Sequence, residues 1–230
     1  MSKLISVVLA ASLAAGFTTL VLAQDGTKPT APAQKEKGEK GEKGEKGKKE
    51  GKKSESSAKA KIGEAAPNFT LKTTDGKEWS LSDAKGKVVV LEWINPECPV
   101  CVRVMKDGTV ANTIKSVTEQ FSDVVYVAIN SSAAQPDSLS GTAAYLKEHN
   151  VDVPALLDSD GAVGTLYGAR TTPHCYVIDQ NGTLVYHGAI DDGPSGGAKT
   201  NYVVGALKQL KAGEKVSPSE TKPFGCSVKY

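Results

Sequence analysis

Cys98-Pro99-Val100-Cys101 is the segment of this 230-residue chain whose residue types and spacing most directly suggest chemistry. It follows an apolar run, Lys87-Val88-Val89-Val90-Leu91-Glu92-Trp93, and opens a stretch with helical spacing, so the pair is expected at a strand-to-helix junction. In the first turn of a helix the unpaired backbone N–H groups and the helix dipole favour an anion, which lowers a cysteine's pKa and makes it a better nucleophile. The two-residue spacing lets the second thiol reach the first, closing a disulfide or cutting a mixed one. Two other uses of the pair compete. A zinc site wants a second Cys or His pair at ligand spacing, and the sequence has none. A static disulfide suits an exported protein, but so small a loop gains little chain-entropy stabilisation.

The elements needed to position the pair are legible on both sides of it. Ala66 to Leu71 alternates polar and apolar, Thr74-Asp75-Gly76-Lys77 has turn chemistry, and Trp79 and Leu81 resume the pattern, so an N-terminal β-hairpin is expected. The run to Trp93 suits a central strand covered on both faces. Pro99 to Phe121 reads as helix interrupted at Gly108. Asp123 to Asn130 is a second buried strand, Asp137 to Asn150 a helix and Val153 to Leu157 a short strand. His174 to Asp179 and Thr183 to Ile190 flank Gln180-Asn181-Gly182 as a hairpin, and Tyr202 to Lys211 is a helix closed by Gly213. The order predicts an α/β domain with a mixed sheet.

The sequence resembles the thioredoxin-fold redoxins, the group that contains thioredoxins, exported TlpA/ResA-type thiol oxidoreductases and AhpC/TSA peroxiredoxins. The resemblance runs from about Ile62 to Lys211. It is carried by Ala66 to Leu71, Gly86 to Val90, the Cys98/Cys101 pair and Thr172-Pro173-His174-Cys175-Tyr176-Val177-Ile178-Asp179. It implies a thioredoxin-like three-layer α/β/α sandwich, with Cys98 as attacking thiol and Cys101 as resolving thiol. Glu92 matches a buried acid that relays a proton from the second cysteine, and burial should raise its pKa as that task requires. Pro173 matches a cis-proline whose loop offers backbone to an incoming peptide, so Thr172, Pro173 and His174 are expected to line the substrate site. A narrower resemblance, to exported peroxiredoxin-like proteins, rests on Tyr167 to Pro173, Gly188 to Asp192 and the tail Lys222 to Tyr230. It implies exchange between Cys98 and Cys226.

The match has departures. No tryptophan adjoins Cys98, and Asn95 stands where peroxiredoxins carry a threonine three residues before the reactive cysteine. Arg170 is the available cation for a peroxidase-type site, or simply a solvated side chain. Cys175 reads as a small buried hydrophobe. His149 and His187 read as structural. His174 could serve Cys98 as a base or complete a copper site with Cys98 and Cys101.

Composition bounds the rest. The formal charge of +2 divides unevenly: residues 24–61 carry +5 and residues 62–230 carry −4. A mildly acidic domain lacks the clustered positive face that nucleic acid needs, so no nucleic-acid partner is expected. Lys3 followed by the apolar run to Val21-Leu22-Ala23 has the form of a secretory signal, or, less favoured, a membrane anchor. Residues 24–61 have no hydrophobic period and are expected to be a disordered Lys/Glu/Gly linker able to touch anionic envelope surfaces weakly. Gly38, Gly41, Gly44 and Gly47 fall at every third position, but four repeats without proline are too few for a triple helix. The expected organisation is a signal at 1–23, the linker at 24–61, the redoxin domain at 62–213 and a cysteine-bearing tail at 214–230.

The expected function is an exported, periplasmic or envelope thiol-disulfide oxidoreductase using Cys98 and Cys101, without cofactor or metal. Its partners would be protein disulfides or a thioredoxin-like reductant. The rival is a thiol peroxidase in which Cys98 attacks peroxide and Cys226 or Cys101 resolves it. A copper-binding or structural envelope module is the alternative outside enzymology.

Overall fold

The computed structural model describes Lys59–Tyr230, so the expected signal and all but the last three residues of the expected linker lie outside the described residues. Val88–Trp93 (β3) sits inside a seven-stranded sheet because, Glu92 apart, its residues are apolar on both faces. Val124–Asn130 (β4) and Ala155–Leu157 (β5) continue the sheet in parallel on one side of it. His174–Ile178 (β7) and Leu184–Gly188 (β8) extend it antiparallel on the other. The expected hairpin, Thr70–Thr73 (β1) and Glu78–Ser80 (β2), joins through β1 against β5, giving the order β2-β1-β5-β4-β3-β7-β8.

Strand alternation sorts the core into two layers. Val90 and Ile94 face Val104 and Met105 of Pro99–Lys106 (α1), Val110 and Val117 of Thr109–Gln120 (α2), and Val203 and Leu207 of Tyr202–Lys211 (α5). Tyr145 and Leu146 of Pro136–Glu148 (α3) belong to the same layer. Val89, Leu91 and Trp93 face Phe69 and Ala84, with Val163 and Tyr167 of Ala162–Tyr167 (α4). This is the three-layer α/β/α arrangement. Leu91 is fully buried, and truncating such a side chain typically costs about 2–5 kcal/mol.

The helix that carries the cysteine pair is short for local reasons. Pro99 at its first position has no N–H to leave unpaired. Gly108 adopts φ +80°, a left-handed turn that separates α1 from α2, and the Asp107 carboxylate accepts the Thr109 N–H at 3.0 Å. The hairpin after β7 closes as its sequence suggests: Gly182 has φ +83°, and Asp179 Oδ1 accepts the Asn181 and Thr183 N–H groups.

Three elements were not foreseen: the 3-10 helix Leu81–Ala84, α4, and a two-stranded sheet of Thr171–Thr172 (β6) with Cys226–Ser227 (β9). At six residues α4 is too short for a helical period to show. The pairing of β6 with β9 joins segments too distant in sequence for any local pattern to register. The tail is held against the domain, with Val216 buried and Tyr230 Oη donating to the Ala169 carbonyl at 2.6 Å.

Candidate active site

Cys98 is the N-cap of α1, where β3 and its following loop deliver it to the helix N-terminus. Its N–H donates to the Asn95 carbonyl at 3.0 Å, and its own carbonyl accepts from Val102 at 3.0 Å. Asn95 ties this loop to α3: its side chain donates to Gln135 and accepts from Ser138 and from the Glu97 N–H. The Cys98 thiol is only 2 % exposed and donates to the Thr172 carbonyl at 3.1 Å. Thr172 immediately precedes Pro173, and the bond between them is cis.

Three thiols meet here, all free. Cys98 lies within hydrogen-bonding reach of both Cys101, one turn into α1, and Cys226 on β9. The first-turn amides are shared between sulfurs: the Cys101 N–H supports Cys98, and the Val100 N–H supports Cys226. Hydrogen bonding from the Cys101 thiol is the main cause that holds the Cys98 thiol well below the usual range. Cys226 and the Cys101 N–H add to it, against the opposing effect of burial. Burial pushes the Cys101 thiol up, and the neighbouring Cys98 and Glu92 charges push it further. Cys226, raised chiefly by burial, also stays protonated. The cluster therefore holds one nucleophile and two thiols in reserve.

Glu92 is buried in the same layer, paired across strands with Cys175. Burial raises its carboxyl to about 7, with a hydrogen bond from Tyr126 Oη at 2.7 Å pulling the other way. Its second oxygen, Oε1, has no partner among the described residues. A carboxyl that changes charge near neutrality suits proton exchange with a buried thiol. Tyr126 escaped the sequence reading although the alternation of β4 puts it on Glu92's face. Replacing it, Tyr126→Phe, removes the bond that favours the ionised acid and should raise the Glu92 pKa by about one unit. The check is the pH profile of Cys98–Cys101 disulfide formation, whose Glu92 limb should move to higher pH while the limb set by Cys98 stays.

Two expected participants are elsewhere. His174 is on β7, but alternation sends Cys175 towards the thiols and the His174 ring to the opposite layer, 4.6 Å from the Tyr176 ring. Its pKa falls to about 3 through burial, and Nε2 has no partner among the described residues. The expectation that its imidazole serves Cys98 as a base, or completes a copper site with Cys98 and Cys101, is thereby corrected: only its backbone is near the substrate loop. Arg170 is exposed, and its charge acts on His174 and His187, not on Cys98. Cys175 is a fully buried core thiol with its pKa raised by burial.

A thioredoxin-like fold that presents a lowered-pKa cysteine at a helix N-terminus, with a second thiol in reach, defines a thiol-dependent oxidoreductase. The chain belongs to the AhpC/TSA family, whose profile matches residues 62–187. It is 29 % identical to the thioredoxin-like protein YneN of Bacillus subtilis over 132 residues, 57 % of this chain and 73 % of that protein. It is 31 % identical to the thiol-disulfide oxidoreductase ResA of the same organism over 123 residues, 54 % of this chain and 64 % of ResA, under two thirds of its length. Chloroplastic peroxiredoxin Q of Gentiana triflora is 31 % identical over 140 residues, 56 % of this chain and 60 % of that one. Among solved structures, a hypothetical protein of Sinorhizobium meliloti superposes with a TM-score of 0.63 at 25 % identity, covering 74 % of this chain and 94 % of that one. An uncharacterised protein of Geobacillus kaustophilus gives 0.63 at 27 % identity, with 74 % and 92 % covered.

Proposed function

We propose that the protein is an exported thiol-disulfide oxidoreductase in which the Cys98 thiolate attacks a partner disulfide and Cys101 resolves the product. The observation that carries this is the division of protonation within one cluster, with Cys98 favoured as thiolate and Cys101 as thiol. Similarity to relatives named thiol-disulfide oxidoreductases supports it. Cys98 sulfur forms a bond to one partner sulfur while the partner's S–S bond breaks and the other sulfur leaves as thiolate. Glu92 then takes the proton of Cys101. The Cys101 thiolate bonds to Cys98 sulfur, and the first partner sulfur is released. The partner gains two electrons, and the protein ends with a Cys98–Cys101 disulfide. With a thioredoxin-like donor the same steps run in reverse. Lys3 and the apolar run to Ala23 support export.

The test is Cys101→Ser. In a Cys226→Ser background, where the other reserve thiol cannot release Cys98, this variant should accumulate a stable mixed disulfide through Cys98 with a model protein disulfide, at least about tenfold above wild type at steady state, because the intramolecular release step is gone. Absence of any Cys98 adduct by peptide mass spectrometry would sink the proposal.

A peroxidase reading is favoured by one observation, the contact of Cys226 with Cys98. There Cys98 sulfur takes one peroxide oxygen as a sulfenic acid and releases water or an alcohol. Cys226 then displaces water to form a Cys98–Cys226 disulfide. Peroxide-dependent appearance of that bridge, with stoichiometric peroxide loss, selects this reading.

A further inference from the structure

The tail crosses from β8, where Glu220 bridges His187, to β6, where Cys226 pairs with Thr172. The strap between is pinned at both ends. Thr221 Oγ1 accepts the Ala189 N–H at 3.0 Å and lies 2.6 Å from Tyr186 Oη. Beyond Cys226, Val228 N–H donates to Arg170 O at 3.1 Å and Tyr230 Oη donates to Ala169 O. Against the strap lies a cavity of about 630 Å³, with Thr171, Asp191, Tyr202, Lys222, Phe224 and Gly225 in its walls. Two of these adjoin the chemistry: Gly225 precedes Cys226, and Thr171 precedes Thr172, the residue with which Cys226 pairs.

One wall group calls for a ligand. Asp191 is only 3 % exposed; its Oδ1 accepts the Gly193 N–H at 2.9 Å, while its Oδ2 accepts from none of the described residues. Burial raises its pKa, the mark of a carboxylate short of donors. The Arg103 charge acts on it, but that guanidinium is committed to Asp107, Gly193 O and Pro194 O. Asp191, Asp192 and Lys222 leave the lining one net negative charge, so a cation with N–H donors suits the open oxygen. The neighbouring sulfurs are unequal as well. Cys98 is 2 % exposed with a lowered pKa, whereas Cys226 is partly exposed. In a disulfide between them, an outside thiol attacks the accessible sulfur, Cys226, and expels the better leaving group, Cys98.

Resting on the Cys98–Cys226 bridge of the peroxide reading, we propose that this cavity binds a low-molecular-weight thiol carrying a primary ammonium group, which reduces that bridge. The ammonium donates to Asp191 Oδ2, the methylenes lie along Tyr202 and Phe224, and the sulfur addresses Cys226. The first thiol gives its proton to solvent and bonds to Cys226 sulfur; the S–S bond breaks and Cys98 leaves as thiolate. A second thiol bonds to the ligand's sulfur and carries it off as the small disulfide, and Cys226 takes up a proton. The two thiols supply the two electrons. A polypeptide reductant has to displace the pinned strap, whereas a small thiol leaves it in place. Cys98 and Cys226 already touch in the reduced protein, so closing the bridge preserves the cavity.

The experiment uses the full chain with Cys101→Ser, so that the bridge cannot pass to Cys101, oxidised by hydrogen peroxide. Loss of the bridge is followed by peptide mass spectrometry with cysteamine, 2-mercaptoethanol or 3-mercaptopropionate, which share a two-carbon frame and differ in the terminal group. Each rate is divided by that of the same thiol with 2-hydroxyethyl disulfide, which removes differences in intrinsic reactivity. Cysteamine should then outpace 2-mercaptoethanol by about tenfold, with 3-mercaptopropionate slowest. Asp191→Asn keeps an oxygen for the Gly193 N–H, and thermal unfolding confirms that it is folded. It should bring cysteamine within about twofold of 2-mercaptoethanol. In the Asp191 protein, propylamine, which has the ammonium but no thiol, should do the same. The preference should survive about 0.5 M salt, because the contact is sheltered. Equal normalised rates, a preference retained by Asp191→Asn, no effect of propylamine, or collapse in salt each overturn the proposal. If peroxide forms no Cys98–Cys226 bridge, the peroxide reading falls, and the same comparison on a bridge made with diamide decides the site. A chain that forms the bridge with neither oxidant overturns both.

Discussion

Cys98→Ser should lower turnover of a model disulfide by on the order of 10³-fold or more, because serine lacks the soft, ionised sulfur on which each step depends. No neighbouring thiol can substitute. Cys101 and Cys175 are fully buried with raised pKa values, and Cys226 is held protonated. Three companion variants make the result specific. Cys175→Ala should leave turnover within about twofold, since that thiol acts as a small apolar side chain. Cys226→Ser should retain disulfide reduction but lose any Cys98–Cys226 bridge. Cys101→Ser combined with Cys226→Ser should still attack but fail to release. Substantial residual activity in Cys98→Ser, measured as dithiol-dependent reduction, would move the nucleophile elsewhere.

Glu92→Gln is expected to separate stability from activity. The Glu92 carboxyl is raised from 4.5 to about 7 in the folded protein, so the unfolded chain releases this proton first as pH rises. The acid is therefore harmless to stability below about pH 4.5, and its cost grows through pH 7 to a plateau above it. From that shift the plateau cost is about 3 kcal/mol at 1.36 kcal/mol per unit. Glutamine keeps an oxygen to accept from Tyr126 and cannot ionise. Urea unfolding at pH 9 should show the variant more stable by about 3 kcal/mol, and at pH 4 by close to nothing. Release of the mixed disulfide should slow by about 10²-fold, the usual worth of a positioned general base. A wild-type stability curve reproduced unchanged in the variant would falsify the assignment of the buried charge to Glu92.

How far the sequence reached depends on the range of the contacts involved. The hairpins, the central strand and the break at Gly108 are local, since turn chemistry and alternation act within a few residues. The Cys98/Cys101 pair was visible because its spacing falls at a strand-to-helix junction, whereas Glu92 was picked out by the family resemblance. The role of Cys226 followed from a resemblance, and its physical basis, pairing with Thr172 across 53 intervening positions, has no local trace. His174 was misjudged for a simple reason. Nearness to Pro173 in sequence said nothing about which side of β7 its ring would take, and alternation gives that side to Cys175.

That alternation gives the far hairpin a stake in the chemistry. Asp179 caps the turn between β7 and β8 with two side-chain hydrogen bonds. Were one residue inserted or lost between this turn and Pro173, β7 would shift by one position and exchange its faces. A bulky imidazole would then press into the thiol cluster, and a lone sulfur would replace it beside Trp93 and Tyr167, from which Tyr176 would also have been turned away. The segment from Pro173 to Asp179 is thus intolerant of length change even where individual substitutions are benign, and a remote turn acts as guardian of which element, nitrogen or sulfur, confronts the nucleophile.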